Sequence, residues 1–205
     1  MKAMLPGLIL ATALLSACSV LPEAEPIRLH LLPASTLGPA PAGQPALSQA
    51  LRIVTPEANR LFSSARIAVV PEGNQISSYR GARWADAVPT LLRDRLVENL
   101  QQDSRFPSVS HEDAGLHADL ELVSDLRAFQ SEYIDGQPQV RIRLDSHLVQ
   151  ASSQRILASR RFEVRQPSDG TQVEAVVASF GQASDELSGQ LRDWLYQQAR
   201  LTEKP

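Results

Sequence analysis

Apolar residues recur along this chain at two spacings, and the change from one to the other divides it into elements. Between residues 116 and 164 the spacing is two. Leu116, Ala118, Leu120, Leu122, Leu126 and Ala128 alternate with Asp119, Glu121, Asp125 and Arg127. After a turn at Asp135 and Gly136, Val140, Ile142, Leu144 and Leu148 alternate with Arg141, Arg143, Asp145 and His147; Ile156, Ala158, Phe162 and Val164 follow a second turn at residues 152–154. Successive side chains of a strand point to opposite faces, so this predicts an antiparallel meander with one dry and one wet face. Arg160 falls on the apolar parity, which predicts a bulge or a strand exit there.

Two segments carry the helical spacing instead. Trp84, Val88, Leu91, Leu92, Val97 and Leu100 share one broad face. Pro89 fits only a first turn, which places the helix start near Asp86 as N-cap. Farther on, Thr171 and Glu174 fit a capping box, and Val173, Val176, Val177, Phe180, Ala183, Leu187, Leu191 and Trp194 form a long apolar stripe. Shorter apolar runs at 27–32, 51–54 and 65–70 read as strands, with 75–79 pairing back across the turn at 72–74. Residues 33–49 contain four prolines, which exclude a regular helix or central strand and predict an ordered surface connection or a mobile loop. The expected fold is α+β: a mostly antiparallel sheet with two long amphipathic helices packed on one face.

The first residues follow neither pattern. Lys2 precedes an apolar run at 5–15, too short for the roughly 20 residues of a membrane-spanning helix but suited to the core of a secretory signal. Leu15-Ser16-Ala17-Cys18 then resembles the lipobox of bacterial lipoproteins, in which the thiol receives a diacylglyceryl group before cleavage. Cys18 is the only cysteine, so no intramolecular disulfide accounts for it in an exported protein. The alternative is an ordinary signal peptide cleaved elsewhere. On the lipobox reading, residues 1–17 are a lipoprotein signal peptide, 18–26 a lipidated tether and 27–205 a single domain. Ser19 stands where an aspartate would, in enteric-type bacteria, signal inner-membrane retention, so the resemblance implies the periplasmic face of the outer membrane.

Roughly 190 residues then remain, enough for one domain with a real core. A net charge of -3 with no cluster of lysine and arginine argues against a nucleic-acid partner. Catalytic motifs are absent: no phosphate loop, no G-x-S-x-G elbow, no dinucleotide fingerprint. His30, His111, His117 and His147 lack metal-ligand spacing, and even the group His111-Glu112-Asp113 with His117 reads as loop or strand-edge histidines rather than a zinc site. No catalytic residue, metal or cofactor is expected beyond the covalent lipid on Cys18. Tyr79, Arg83 and Trp84 gather aromatic and cationic side chains of the kind favoured as interface anchors. They equally suit a buried tryptophan flanked by solvated arginines.

The lipobox, the strand Arg66-Ile67-Ala68-Val69-Val70, Tyr79 with Arg83-Trp84, Pro89 opening a leucine-rich helix, the run at 155–162 and a final helix carrying Trp194 together resemble the ABC-type transport auxiliary lipoproteins. That resemblance implies a non-enzymatic auxiliary subunit of an ABC transporter or MCE-type system moving phospholipid or another hydrophobic cargo across the envelope. Its expected partners are the membrane, through the lipid, and MCE-type or ABC transporter subunits, with Tyr79, Arg83 and Trp84 as a candidate contact; self-association into a homo-oligomer stays open. The alternative function is an envelope lipoprotein that binds a soluble ligand or inhibits an envelope enzyme. An anchored hydrolase is the third, with no nucleophile and base to name.

Overall fold

The computed structural model describes residues 26–203; Cys18, the signal segment and all of the tether except Pro26 lie outside these residues. Within them one mixed sheet holds β1 (Arg28–His30), β2 (Leu51–Ile53), β3 (Glu57–Ala58), β4 (Arg66–Glu72), β5 (Gln75–Trp84), β6 (Val109–His111), β7 (Leu120–Ile134), β8 (Gln137–Gln150) and β9 (Arg155–Pro167), with helices α1 (Val88–Asp103) and α2 (Val173–Thr202). The expected meander is present: β7, β8 and β9 pair antiparallel along nearly their whole lengths. The sheet as a whole is not mostly antiparallel, however. The second edge of β7 takes three short strands end to end, β2 at Leu120, β3 at Asp125 and β4 at Gln130, all parallel. β6 adds parallel to β2, and β1 adds parallel to β5. Parallel neighbours need a crossover; the segment through α1 provides it for β2, β3 and β4 with β7 and for β2 with β6, whereas β1 reaches β5 through residues 31–74. Alternation along a strand tells which face is dry; it carries no information about the direction of the neighbour.

Local corrections follow the same logic. Trp84 is the last residue of β5 rather than part of the helix: its N–H donates to the Ala65 carbonyl at 2.8 Å and it pairs with His30. The helix starts at Val88 behind an extended Ala87, and Asp86 accepts from the Ala87 N–H at 2.6 Å without capping the helix. At the second helix Gln172 takes the N-cap position with no side-chain cap. Glu174 is drawn away from a capping box by Arg28 of β1, 2.6 Å distant. Arg160 lies opposite Ser146 in regular register, exposed, its guanidinium carbon 4.9 Å from the Phe162 ring; the irregularity of β9 falls between Ile156 and Ala158 instead. A bulge at Arg127 of β7 reverses the parity beyond it, so Ala128, expected on the dry face, pairs with Arg143, and Phe129 and Ser131 turn inward.

The core lies between the dry face and the two helices. α2 packs along β8 and β9, and α1 against β2, β6 and α2. Every residue of the predicted α2 stripe is buried. Trp84, Phe129 and Phe180 form a ring cluster with centroids 4.7 to 6.0 Å apart, and Phe162 meets Trp194 edge-on at 5.6 Å. Such pairs add about 0.5–1.5 kcal/mol beyond their area.

Residues 33–49 are an ordered strap that runs along α2 in the same direction as the helix. Pro33 lies against Gly181 and Leu37 near Gly189, Arg192 donates to the Gly38 carbonyl, Tyr196 donates to that of Pro45, and Ser48 donates to Glu203. Positions 181, 185, 189, 192 and 196 recur every three or four residues, so they form a second stripe on α2, beside the one that faces the sheet. A Cβ on Gly181 would stand 2.9 Å from the Pro33 Cβ and 3.0 Å from its Cγ. Gly181→Ala is therefore expected to destabilise the fold by about 1–3 kcal/mol, read as a lower urea midpoint. An unchanged midpoint would show that the strap yields freely.

Candidate functional site

The Tyr79–Trp84 segment is built around an irregular hairpin. Ala68 pairs with Ser78 while Arg66 pairs with Arg83, so β5 carries surplus residues between the two pairs. Gly81 lies there with φ +65°, a conformation that L side chains rarely adopt. Beyond this bulge the strand alternates normally, and Arg83 points to solvent while Trp84 points to the core, where it is 1% exposed. The three side chains do not share a surface. Trp84 is enclosed by Phe129 and Phe180 and is not available to a partner. Tyr79 is half-buried, with its hydroxyl 2.9 Å from the Ser131 hydroxyl. Arg83 alone of the trio is fully presented to solvent.

Burial pushes the Tyr79 phenol up to about 12, against the opposing effect of the Ser131 hydrogen bond. Its folded pKa is thus above the ordinary 10.0, so its contribution is complete below that value and is lost as pH rises through about 12. Tyr79→Phe is expected to flatten the alkaline limb of the stability profile over this interval. It also leaves the fully buried Ser131 hydroxyl without its partner, costing about 1–3 kcal/mol near neutrality. Urea unfolding at several pH values reads both effects, and an alkaline limb identical to the parent's would contradict the assignment.

The histidines are dispersed. His111 approaches Asp113 at 3.7 Å, His117 approaches Asp119 at 3.6 Å, and the His147 Nδ1 lies 2.7 Å from the Ser159 hydroxyl. Among the described residues no group of three or more histidine, cysteine or acidic side chains converges as a metal site would require. The wet face carries an ion-pair ladder instead. Glu132 holds Arg141 and Arg165, Glu163 holds the same two arginines, and Asp145 joins Arg127 to Arg161. Hydrogen bonding by Arg161 lowers the Asp145 carboxyl below its ordinary value; burial tends to raise Glu163, but Arg141 and Arg165 outweigh it and lower it. Within this ladder each charge stands beside one of opposite sign.

Two buried polar clusters have no counterpart in the sequence patterns. Asp185 of α2 accepts from Arg95 of α1 at 2.7 Å, from the Ser35 hydroxyl at 2.8 Å and from the Thr36 backbone N–H at 2.7 Å; Arg95 also donates to the Pro33 carbonyl. Arg105, 3% exposed, grips Asp103, Asp193 and Gln44 and lies 4.5 Å from the Tyr196 ring centroid. Both clusters tie the strap to the helices. The only signal in the sequence was the helix-face position of Arg95 and Asp185, among apolar neighbours.

Comparison with known proteins places this architecture. Over 172 residues the chain is 29% identical to an uncharacterised protein of Bradyrhizobium diazoefficiens, covering 83% of this chain but only 45% of that relative, so the chain spans about half the relative's length. Its fold is similar to a crystal structure of a protein from Xanthomonas campestris, with 31% identity, a TM-score of 0.79 and coverage of 85% and 97% of the two chains. A second uncharacterised protein (17% identity, TM-score 0.66, coverage 83% and 99%) shares the fold. The sequence model described as the ABC-type transport auxiliary lipoprotein component matches residues 30–191. By that match, and by the paired strands, strap and helices it spans, this chain belongs to the family of ABC-type transport auxiliary lipoprotein components.

Proposed function

We propose that this protein is an outer-membrane-anchored periplasmic lipoprotein that serves as a non-enzymatic auxiliary subunit of an ABC- or MCE-type system moving phospholipid or another hydrophobic cargo across the envelope. The observation that carries this reading is the family match over residues 30–191; the lipobox-like Leu15-Ser16-Ala17-Cys18 ahead of it supports the anchor. Its mechanism is positional. The lipid on Cys18 fixes one end of the chain at the bilayer, and the domain presents a rigid surface to the transporter. Rigidity is supplied by the strap, the helix pair and the long ladders of β7, β8 and β9, which leave few independently moving parts. Loss of any one histidine should leave the function intact. Cross-linking in intact envelopes, followed by purification of this chain, is expected to recover permease, ATPase or MCE-type subunits. Recovery of none of them under stabilising conditions would overturn the reading.

A further inference from the structure

We infer that the corner where the domain meets its tether is a bilayer-contacting patch, which takes the phosphate headgroups of an anionic phospholipid surface; this rests on Cys18 being the lipid anchor. Ile27, Leu29 and Leu31 are 52%, 68% and 73% exposed, and their spacing of two places them on one face of the chain at β1. Leu29 pairs with Arg83, and Arg83 pairs with Arg66. Paired residues of neighbouring strands share a face, so the apolar row and the two guanidinium groups are presented together. Arg80 borders them, and Ile27, Arg66, Tyr79, Arg80, Gly81 and Arg83 line a shallow depression of about 300 Å³.

Among the described residues, the charges at this corner have no acidic partner. Arg66, Arg80 and Arg83 are exposed, and among the described residues their guanidiniums make none of the ion pairs that engage Arg28, Arg52, Arg93 or the meander arginines. Like charges directly opposite across a strand pair are unfavourable, so Arg66 facing Arg83 calls for an anion from outside the domain. A lipid surface meets both needs at once, phosphates for the arginines and interfacial hydrocarbon for Ile27, Leu29 and Leu31.

The tether supplies the address. The Pro26 carbonyl oxygen lies 3.9 Å from the Cβ position of Gly81, so the chain enters the domain against this patch. Seven residues lie between Cys18 and Pro26, a reach of at most roughly 30 Å. An anchor at Cys18 therefore holds the patch within that distance of the bilayer, where even weak affinity engages because the contact has become intramolecular.

The test uses the chain from residue 18 onward carrying Cys18→Ala, which has no anchor, in flotation with vesicles of phosphatidylethanolamine and phosphatidylglycerol at about three to one. Each arginine near an anionic surface is worth roughly fivefold in partitioning, so R66Q/R80Q/R83Q is expected to lose at least about tenfold of the binding. R66K/R80K/R83K should retain it, L29S/L31S should lose it, and Arg143→Gln, on β8 two strands beyond β4, should leave it unchanged. Raised salt and pure phosphatidylcholine vesicles should each abolish it. Urea midpoints confirm that every variant folds. No binding to anionic vesicles at low salt, or full binding by folded R66Q/R80Q/R83Q, overturns the patch and leaves the anchor standing. Failure of the anchor shows separately, as lipid labelling that survives Cys18→Ala. Cross-links from Arg83→Cys to a protein in place of lipid would reassign this face to a partner and also overturn the inference.

Discussion

A Cys18→Ala chain expressed in its native envelope is expected to incorporate no labelled palmitate and to leave the membrane fraction. The effect should be close to all-or-none because of how acyl anchoring scales. Each buried methylene contributes about 0.8 kcal/mol, one chain holds a protein only marginally, and two or more hold it stably. Removal of the thiol removes every attachment point, since Cys18 is the sole cysteine. No described helix can substitute for it: among the described residues none is long and apolar enough to cross a membrane. The arginine patch at the tether exit would leave only a weak, salt-sensitive residue of binding. Unchanged labelling in the variant would sink the anchor and, with it, the outer-membrane placement.

Asp185→Ala is expected to cost about 3–5 kcal/mol of folding stability, the second large effect. The carboxylate joins three parts of the molecule: α2, Arg95 of α1 and the strap at Ser35 and Thr36. Without it Arg95, 4% exposed, keeps the Pro33 carbonyl and a distant Glu98 at 3.9 Å as partners, and a buried cation stripped of its counter-charge is strongly unfavourable. The pair itself need not be a net gain over hydrocarbon, because desolvation of both ions opposes their attraction. The double variant Arg95→Met/Asp185→Leu should therefore lose less than Asp185→Ala alone. Burial tends to raise the Asp185 carboxyl, but the Thr36 and Ser35 hydrogen bonds and the Arg95 charge outweigh it and hold the group below its ordinary 3.8. A depressed folded pKa gives stability that is present above the unfolded value and lost as pH falls through the folded one. The acid limb below about pH 3.8 should accordingly be shallower in Asp185→Ala, and urea midpoints across this range measure both effects. A parent-like midpoint at neutral pH would show that the strap is not held by this cluster.

The strap and the bulges mark where reading along the chain stops. Prolines at 33, 39, 41 and 45 announced an irregular segment, and nothing local could say that it lies along α2, since its partners are about 150 residues away. Trp84 illustrates the same limit. Its spacing from Val88 suits a helix face, yet the Ala65 carbonyl and the pairing with His30 claim it for a strand. Its burial, which follows in either element, was legible; its availability as an interface anchor was not. Of the candidate contact residues, Arg83 alone reaches solvent freely, and nothing along the chain pointed to Arg66, at the start of the strand motif, as its neighbour there. Only the register of β4 against β5 brings Arg66 to it.

By itself the sequence determined what depends on near neighbours: the two-residue alternation of β7, β8 and β9, the inward stripe of α2, the short apolar segment ending at Cys18, and the order of motifs that marks the family. Each follows from periodicity or adjacency, which a linear chain displays. The tertiary structure decided what depends on distant parts of the chain: the parallel strands along β7, the parity change at Arg127, the ion clusters that bind the strap, and the meeting of three arginines with an apolar row at the tether exit. These arise from pairings across many residues, where backbone hydrogen bonding and burial over the whole domain outweigh local preference.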